Sequence, residues 1–586
     1  MMDGHITRRG LLATGAAAGV AAIAGAGPAS AGPPPHAGPP PHAGPPGAQG
    51  EALTLINGKI HTMDDAGTVA KAVTIRNGRI VSVGNSAANP GPGNRVINLK
   101  GRTVIPGLIE SHTHYVSLAN RPGYHVAELE LAESLGEVLQ MLADRRARDD
   151  IPAGGFITAM GGWSTNQWAE RRMPTRAELD DAVPDRPVIL FQRFNGPCRV
   201  NSLGKEFFES VTSPLAGPVA VAEDGTIAAG GQSTAALYHL RIRQSFEDKR
   251  RSALDSMTFT AKVGVTALLD QTLVAVANGP RDPQPGHPLA TLDHYRMYDA
   301  WIDLHREGLA FVRLQINFLH NQGNIAALGP LENQLSELRE RLKNQFPFFG
   351  DGMLRTGGIG EWAAPFAAPT NPAGFAVWTE AQRLVAAARW RNENAQTSVA
   401  GVQQVVEAYE AMDAEFGITD LRWGLQHGDL ATEDQLARLR ELNVGVSTSG
   451  FRWQNNPTAN GTPVGPLFPQ MVASGVMLGL HEDGVHIAPH NPWFALHYAT
   501  TGLNFNGLQI NPGQQISRQQ ALHLYTRGNA WYLNREDDLG SIEPGKQADL
   551  LVLDRDYFTV SDEEMRRTKP LLTVVGGKVA YDAGVI

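Results

Sequence analysis

The chain has 586 residues, of which 42% are hydrophobic and 19% charged, so it contains enough apolar material for a large globular core. Its net charge of −9 argues against nucleic acid as a partner, because there is no excess of basic side chains to neutralise phosphates. The single cysteine, Cys198, excludes an intrachain disulfide and a cysteine-rich zinc site. Any metal must therefore be bound by histidines and carboxylates.

The first 31 residues have the features of an export signal. T-R-R-G-L-L (7–12) is typical of a twin-arginine signal, an Ala/Gly-rich stretch follows, and A-S-A (29–31) fits a cleavage site. The alternative is a basic start followed by a disordered tail. We predict export by the twin-arginine route, to the periplasm or the medium. Residues 32–50 repeat P-P-P-H-A-G and predict an extended linker, and no later apolar run is long enough for a membrane span.

The two ends of the remaining chain are rich in short strand patterns. L-T-L-I-N-G-K-I-H (53–61) and A-V-T-I-R-N-G-R-I-V (72–81) alternate in polarity and are broken by Asn-Gly, which favours hairpins. A-D-L-L-V-L-D (548–554) and L-L-T-V-V-G-G-K-V (571–579) have the same texture. We predict that residues 51–107 and 536–586 pair as one small β-sandwich domain.

The middle of the chain, residues 108–535, alternates apolar strand-like runs with amphipathic stretches. The leucines of residues 432–442, for example, recur at helical spacing. This alternation predicts a parallel α/β fold, and its length favours a (β/α)8 barrel. In such a barrel the carboxyl ends of the strands meet at one mouth, where active sites are built.

Polar residues that suit a metal site occur where several of these strands end. His112 and His114 are two residues apart, so they share one face if the strand continues through them. Glu361, His427 and Asp483 end three later strand-like runs. Imidazole and carboxylate together suit zinc, iron or manganese. Taken singly, His427 has the alternative of a buried core histidine, and Asp483 that of a helix cap.

Several of these stretches resemble motifs of the amidohydrolase superfamily. P-G-L-I-E-S-H-T-H (106–114) resembles its first-strand metal motif, and G-S-I-E-P-G-K-Q-A-D-L-L-V-L-D (540–554) resembles the segment that leads from its barrel to the returning β-sandwich. G-G-W-S-T-N-Q-W (161–168) and H-G-D-L-A-T-E-D-Q-L (427–436) are similar to stretches of amidohydrolase family 3, the branch of the N-substituted formamide deformylases.

The resemblance implies a metal-dependent hydrolase that cleaves an amide or formamide C–N bond of a small molecule. In that interpretation His112 and His114 hold the first metal, and His427 holds a second metal or contacts the substrate. Asp483 is both a ligand and the general acid/base. The expected cofactor is a divalent metal, zinc first, as one ion or two. The oligomeric state is not predicted.

The sequence departs from the family pattern at two places. Many members bridge two metals with a carboxylated lysine, but residues 357–362 contain none, so Glu361 is expected to act as the bridge. Relatives carry a histidine where Asn394 is aligned, and asparagine is a poor ligand for transition metals. We therefore expect a mononuclear site, with His481 as a possible replacement ligand. The alternative for His481, His486 and His490 is that they are loop histidines bonded to backbone.

The substrate pocket is expected to have aromatic walls with a few polar groups. The predicted substrate-binding residues are Trp163, Trp362, Asn394 and His481. Three further tryptophans are candidates: Trp168, Trp453 and Trp493. Each of the five tryptophans could equally belong to the core, which is the favoured interpretation for Trp493.

Two other functions remain open from the sequence. The same fold could use its metal as a Lewis acid for a lyase, isomerase or cyclase reaction. The protein could instead be a non-catalytic ligand-binding protein. The presence of His112, His114, His427 and Asp483 together argues against the binding protein, because such a protein needs no general base beside a metal.

Overall fold

The computed structural model describes residues 52–86, 93–116, 121–193, 196–212, 218–271, 295–320, 331, 334–344, 346–485 and 487–586. The predicted signal, residues 1–31, and the predicted linker, residues 32–50, lie outside these ranges, as does His486. The strands, in chain order, are β1 Ala52–Ile56, β2 Lys59–His61, β3 Val69–Ala70, β4 Ala72–Arg76, β5 Arg79–Gly84, β6 Asn94–Asn98, β7 Thr103–Pro106, β8 Leu108–Thr113, β9 Tyr124–His125, β10 Ile157–Gly161, β11 Val188–Gln192, β12 Cys198–Val200, β13 Thr226–Ile227, β14 Val265–Asp270, β15 Arg313–Phe318, β16 Leu354–Ile359, β17 Glu393–Ala395, β18 Gly424–Gln426, β19 Gly445–Ser449, β20 Leu478–His481, β21 Leu550–Leu553, β22 Pro570–Val575 and β23 Lys578–Asp582.

The α-helices lie mainly between the central strands. They are Leu135–Arg146, Arg176–Ala182, Ser202–Ser210, Gly231–Arg241, Phe246–Val263, Asp299–Arg306, Ser336–Arg341, Pro372–Ala387, Val399–Phe416, Glu433–Glu441, Phe468–Ser474, Pro492–Thr501, Arg518–His523, Asn529–Tyr532 and Asp562–Met565. Short 3₁₀ turns occur at Ala127–Leu131, Thr165–Gln167, Tyr295–Tyr298 and Gly450–Gln454, and a π-helical turn at Leu524–Gly528. None of the described helices is long and apolar enough to cross a membrane.

Two four-stranded parallel sheets form the centre of this mixed α/β fold. The first has the order β16-β15-β14-β8 and the second the order β17-β18-β19-β20. Single parallel bridges connect their edges, Ile359 with Asn392 and Thr113 with Gly484. The regular hydrogen-bonded ladder is interrupted at both junctions and does not run round a closed barrel.

The strands from the two chain ends pair with each other. β21 runs antiparallel to β7, with Leu551 opposite Ile105, in a six-stranded sheet of order β23-β22-β21-β7-β2-β3. A second sheet of order β5-β4-β1-β6 comes from the N-terminal end alone. Side chains of both sheets share one hydrophobic cluster, which includes Leu55 of β1 and Val552 of β21.

The passage from the terminal sheet to the central one is tight. β7 ends at Pro106 and β8 begins at Leu108, so Gly107 alone separates them. A Cβ atom at Gly107 would lie 2.3 Å from Oγ1 of Thr266, so a larger residue does not fit without a shift of the backbone. This glycine sets the position at which the first metal-motif strand enters the central sheet.

A five-stranded sheet of order β13-β12-β11-β10-β9 is built from part of the long insertion between β8 and β14. Its β10 and β11 are parallel, with Ala159 opposite Leu190. The segment after β10 approaches the segment after β20 closely, because a Cβ atom at Gly162 would overlap the carbonyl of Ala488. The insertion therefore packs beside the C-terminal end of β20.

Candidate metal centre

The first two histidines lie at the end of a fully buried strand. All six residues of β8 are buried, and His114 follows the strand directly. His112 is fully buried and His114 is 6% exposed, with their ring centroids 5.4 Å apart. As the i, i+2 spacing predicts, both imidazoles lie close together at one strand end.

Three further side chains meet them from other strand ends. Glu361 lies two residues after β16, and His427 directly follows β18. Asp483 lies two residues after β20, and all three side chains are buried. We refer to these five residues as the strand-end cluster: His112, His114, Glu361, His427 and Asp483.

The distances within the strand-end cluster are short. Glu361 lies between two histidines, with Oε2 3.4 Å from Nε2 of His114 and Oε1 3.6 Å from Nε2 of His427. Oδ1 of Asp483 is 3.7 Å from Nε2 of His112 and 3.5 Å from Nε2 of His114. Its Oδ2 is 3.7 Å from Nε2 of His427. Each carboxylate thus faces more than one imidazole.

Two members of the strand-end cluster have an unusual backbone. His427 has a φ of 58° and Asp483 a φ of 52°, in the left-handed region that side-chain-bearing residues rarely adopt. Such conformations cost on the order of 1–3 kcal/mol each and persist where the surrounding structure imposes them. Here they turn the two side chains at the ends of β18 and β20.

Hydrogen bonds on the far side of the rings orient two of the imidazoles. Nδ1 of His114 lies 2.6 Å from the main-chain oxygen of Gln271, which can only accept, so Nδ1 donates to it and Nε2 is the ring nitrogen that faces the cluster. Nδ1 of His427 lies 3.0 Å from Oγ of Ser449. Histidine ligands of metals are held in this way.

The electrostatics of the strand-end cluster depend on these contacts. Burial alone would lower the pKa of His114, but the hydrogen bond to Glu361 and the charges of Asp483 and Glu361 outweigh it and raise the pKa to about 9. Burial raises the pKa of Asp483 to about 6, although His114 and His427 oppose the shift. Burial would also raise the pKa of Glu361, but His114 and His427 hold it well below its usual value.

The chemistry of the donors fits a divalent metal ion. Two triads, His112–Glu361–His427 and His112–His114–Asp483, have ligand atoms within 4.8 Å of one another. In the described part of the chain, the ion pairs of Glu361 and Asp483 are formed with histidines alone, not with lysine or arginine. Two buried carboxylates that face the Nε2 atoms of neighbouring imidazoles are an environment that a zinc-type cation stabilises.

The four predicted substrate-binding residues have different positions. Trp362 is partly buried next to Glu361, and His481 is buried at the end of β20, with its ring centroid 4.7 Å from those of His112 and His427. Trp163 is fully buried and stacks on Trp168 at 5.1 Å, in the core of the insertion. The prediction that Trp163 lines a substrate pocket is therefore not supported by its position.

Asn394 also lies away from the strand-end cluster. Its Oδ1 accepts from Nε1 of Trp378 at 3.2 Å, and its Nδ2 donates to Gln382 at 2.8 Å and to Tyr409 at 2.9 Å. All three partners lie on the helices Pro372–Ala387 and Val399–Phe416. Asn394 thus faces the helical layer, and the predicted substrate contact is corrected on this geometry.

The remaining candidates are core residues. Trp453 packs against Phe494 and Phe505, and Trp493 is 1% exposed and donates to the carbonyl of Val263. His490 is buried against Tyr115, with ring centroids 4.9 Å apart.

Three supporting residues were not identified from the sequence. Gln271 and Ser449 orient histidines, and Glu393 accepts from the side chain of Gln271 at 2.8 Å while it forms a 2.8 Å ion pair with Arg391. Gln271 directly follows β14, and Ser449 ends β19. The histidines were selected because they lie where strands end. Gln271 and Ser449 lie at such positions too, so a search that included uncharged polar residues would have identified both.

Comparison with known proteins identifies the family of the chain. A sequence model of the amidohydrolase family matches residues 95–581, which is most of the chain. The chain belongs to the amidohydrolase family. N-substituted formamide deformylase from Arthrobacter pascens is 24% identical over 569 residues, covering 90% of this chain and 98% of that protein. The putative amidohydrolase YtcJ from Bacillus subtilis is 21% identical, with 90% of this chain and 98% of that protein covered.

Solved structures share the fold of this amidohydrolase-family chain. An uncharacterised metal-dependent hydrolase from Pyrococcus horikoshii aligns with a TM-score of 0.56 at 19% identity, over 87% of this chain and 99% of that one. Atrazine chlorohydrolase TrzN from Arthrobacter aurescens, solved in complex with zinc, aligns with a TM-score of 0.50 at 16% identity, over 90% and 95%.

Proposed function

We propose that this protein is an exported, metal-dependent hydrolase that cleaves the C–N bond of a small amide or formamide. The observation that carries the proposal is the strand-end cluster, in which three histidines and two carboxylates are buried together and no described lysine or arginine forms an ion pair with either carboxylate. The name of the deformylase relative supports a formamide, and the zinc in the chlorohydrolase neighbour supports zinc as the cofactor.

We infer that the two parallel sheets are halves of one (β/α)8 barrel, and that the two terminal sheets form its companion β-sandwich. The bridges Ile359–Asn392 and Thr113–Gly484 support the first inference, since they join the sheet edges in the order a barrel requires. The shared hydrophobic cluster supports the second. The T-R-R-G-L-L and A-S-A motifs support export.

Each residue of the strand-end cluster has a role in the proposed reaction. His112, His114, His427 and Asp483 would hold a divalent metal, together with Glu361, whose two oxygens face His114 and His427. A bound divalent ion lowers the pKa of water towards neutrality and polarises a carbonyl. Asp483 accepts the proton of the attacking water on a carboxylate oxygen and returns it to the leaving nitrogen. The carbonyl carbon gains a bond to the water oxygen as its bond to nitrogen breaks.

The test is an assay of purified protein on a panel of N-substituted formamides and simple amides, with formate or carboxylate and amine both quantified. We expect equal amounts of acid and amine, loss of turnover after chelation, and recovery when zinc is added. Asp483→Asn should reduce kcat by at least about 100-fold, because general acid–base catalysis contributes about 10²–10⁴.

Two controls make this assay decisive. Asp556→Asn changes a carboxylate in the Lys59 ion pair outside the strand-end cluster and should leave kcat unchanged. If no amide or formamide is hydrolysed with the metal content verified, or if Asp483→Asn retains full activity, the proposed function is wrong.

A further inference from the structure

Glu393 is a fully buried carboxylate outside the strand-end cluster. It is the first residue of β17. Its Oε1 lies 2.8 Å from Nη2 of Arg391, whose side chain is also fully buried. Because two buried charges compensate each other in this pair, the carboxylate is held at a fixed place between the central strands. The ion pair uses Oε1, so Oε2 remains for contacts with other strands.

The second oxygen of Glu393 joins two segments that place histidines of the strand-end cluster. Oε2 accepts from Nε2 of Gln271 at 2.8 Å and from Nε2 of Gln426 at 2.6 Å. The main-chain oxygen of Gln271 accepts from Nδ1 of His114, and Gln426 directly precedes His427. One carboxylate oxygen therefore connects the residue that orients His114 with the residue next to His427.

The backbone that leads to Glu361 also lies close to Glu393. A Cβ atom at Gly360 would be 3.0 Å from Cβ of Glu393 and 3.4 Å from its Oε2. Gly360 directly precedes Glu361, the carboxylate that faces both His114 and His427. Glu393 is thus next to the segments that position three of the five residues of the strand-end cluster.

We propose that Glu393 is a positioning residue of the metal centre, whose carboxylate sets the separation of His114 and His427 through the side-chain amides of Gln271 and Gln426. It acts through these two residues and is not a ligand. A glutamine at position 393 could not make the same contacts, because its NH₂ group would face either the arginine or the amides, all of which are donors. The inference rests on the proposed function only in requiring that a divalent ion binds at the strand-end cluster.

The test is the visible absorption spectrum of full-length protein loaded with cobalt(II), whose bands report the geometry of the bound ion, together with zinc affinity measured by competition with a chelator. Gln271→Met and Gln426→Met each remove one amide that donates to Glu393 while keeping most of the side-chain volume. Both leave the ion pair with Arg391 in place, whereas Glu393→Gln would leave that arginine buried without its counter-charge.

Gln435→Met is the matched control. Gln435 is also a buried glutamine whose side-chain amide donates a hydrogen bond, but it lies in the helix Glu433–Glu441. Circular dichroism and denaturant unfolding check that each variant is folded.

We expect shifted cobalt bands and about 10–100-fold weaker zinc binding in Gln271→Met and in Gln426→Met, because groups that orient metal ligands have effects of this size. Gln435→Met should keep the spectrum and the affinity of the unsubstituted protein. If either of the first two variants is folded and keeps both properties, or if the control changes equally, the inference is overturned and the proposed function stands. Failure of the unsubstituted protein to bind any divalent ion overturns both.

Discussion

A single hydroxyl orients one of the imidazoles of the strand-end cluster. Oγ of Ser449 lies 3.0 Å from Nδ1 of His427, and the main-chain nitrogen of Ser449 is itself held by Asp429 at 2.9 Å. Arg452 donates to the other oxygen of that aspartate. The position of His427 therefore depends on a chain of contacts that runs along the loop after β19.

Ser449→Ala should weaken zinc binding about 10–100-fold, because the partner that holds the outer nitrogen of a metal-bound histidine is lost. The measurement is competition against a chromogenic chelator at fixed pH. Ser474→Ala, which removes a hydroxyl bonded to the carbonyl of Met471 at a distant helix end, is the control. Equal affinities of the two variants would show that Ser449 does not orient a ligand.

Asn394→His should not create a metal ligand. The Asn394 amide is bonded to Trp378, Gln382 and Tyr409, so a histidine there would replace satisfied buried hydrogen bonds. We expect unchanged zinc stoichiometry and a loss of about 1–3 kcal/mol in the free energy of unfolding. A gain of one zinc equivalent would contradict the orientation of β17.

The sequence predicted the strand-end cluster better than its surroundings. The five residues of the strand-end cluster were selectable because each lies at or just after the end of an apolar strand-like run, and parallel strand ends share one edge. Asn394 was misplaced because β17 has only three residues, and a shift of one position reverses the face on which a side chain lies. Trp163 was misplaced because an aromatic residue in a loop motif looks the same whether it lines a pocket or stacks on a neighbour such as Trp168.

At the scale of elements, the largely buried helix Pro492–Thr501 packs against the segment that follows β20. Asn491 caps it by accepting from the main-chain nitrogen of Trp493, and Glu482 accepts from the nitrogen of Ala495 at 3.0 Å. Because Glu482 precedes Asp483 directly, the first turn of this helix anchors the segment that carries Asp483. Burial, with a smaller contribution from Arg566, lowers the pKa of His497 in the same helix to about 4.

The helix should therefore lose stability in acid. The native pKa of His497 lies below the unfolded value of about 6.5, so the unfolded chain binds the proton more readily. The stability is fully present above about pH 6.5 and declines as the pH falls towards 4. His497→Gln should show a smaller loss of unfolding free energy than the unsubstituted protein between pH 6.5 and 4, measured by urea denaturation. Parallel pH profiles would contradict this.

The pairing of the chain ends was predictable at this scale, and the closure of the central sheet was not. Alternating polarity and Asn-Gly pairs predicted strands near both ends, and β7 does pair with β21. The two central sheets meet at two single β-bridges, Ile359–Asn392 and Thr113–Gly484. A single bridge produces no alternation of polar and apolar residues, so neither junction could be predicted from the sequence. The sheet of the insertion was also missed, since β9, β12 and β13 have only two or three residues each.

At the scale of the whole molecule, one buried ion pair joins the central strands to the terminal sheet. Nε of Arg313, in β15, lies 2.7 Å from Oδ2 of Asp549, just before β21, and the side chains are 4% and 6% exposed. The second guanidinium contact, to Oδ1, is 2.8 Å. Removing one partner would leave the other charge buried and uncompensated.

Asp549→Ala should reduce the free energy of unfolding by about 3–5 kcal/mol, the usual cost of breaking a buried pair. Asp556→Ala breaks the more exposed Lys59 pair and should cost about 0–1 kcal/mol. Denaturant unfolding of both variants measures the difference. Similar losses for the two would show that the buried pair does not couple the sheets.

The antiparallel pairing of β7 with β21 also has a consequence for biosynthesis. A ribosome makes β7 more than 400 residues before it makes β21, so throughout most of translation β7 has an open edge where its partner will later lie. Because β8 follows β7 after one residue, the strand that carries His112 emerges next to that unfinished edge. A nascent chain that stalls before residue 550 therefore exposes a row of unpaired backbone groups that invites association with other chains, and completion of the last strands ends that vulnerability.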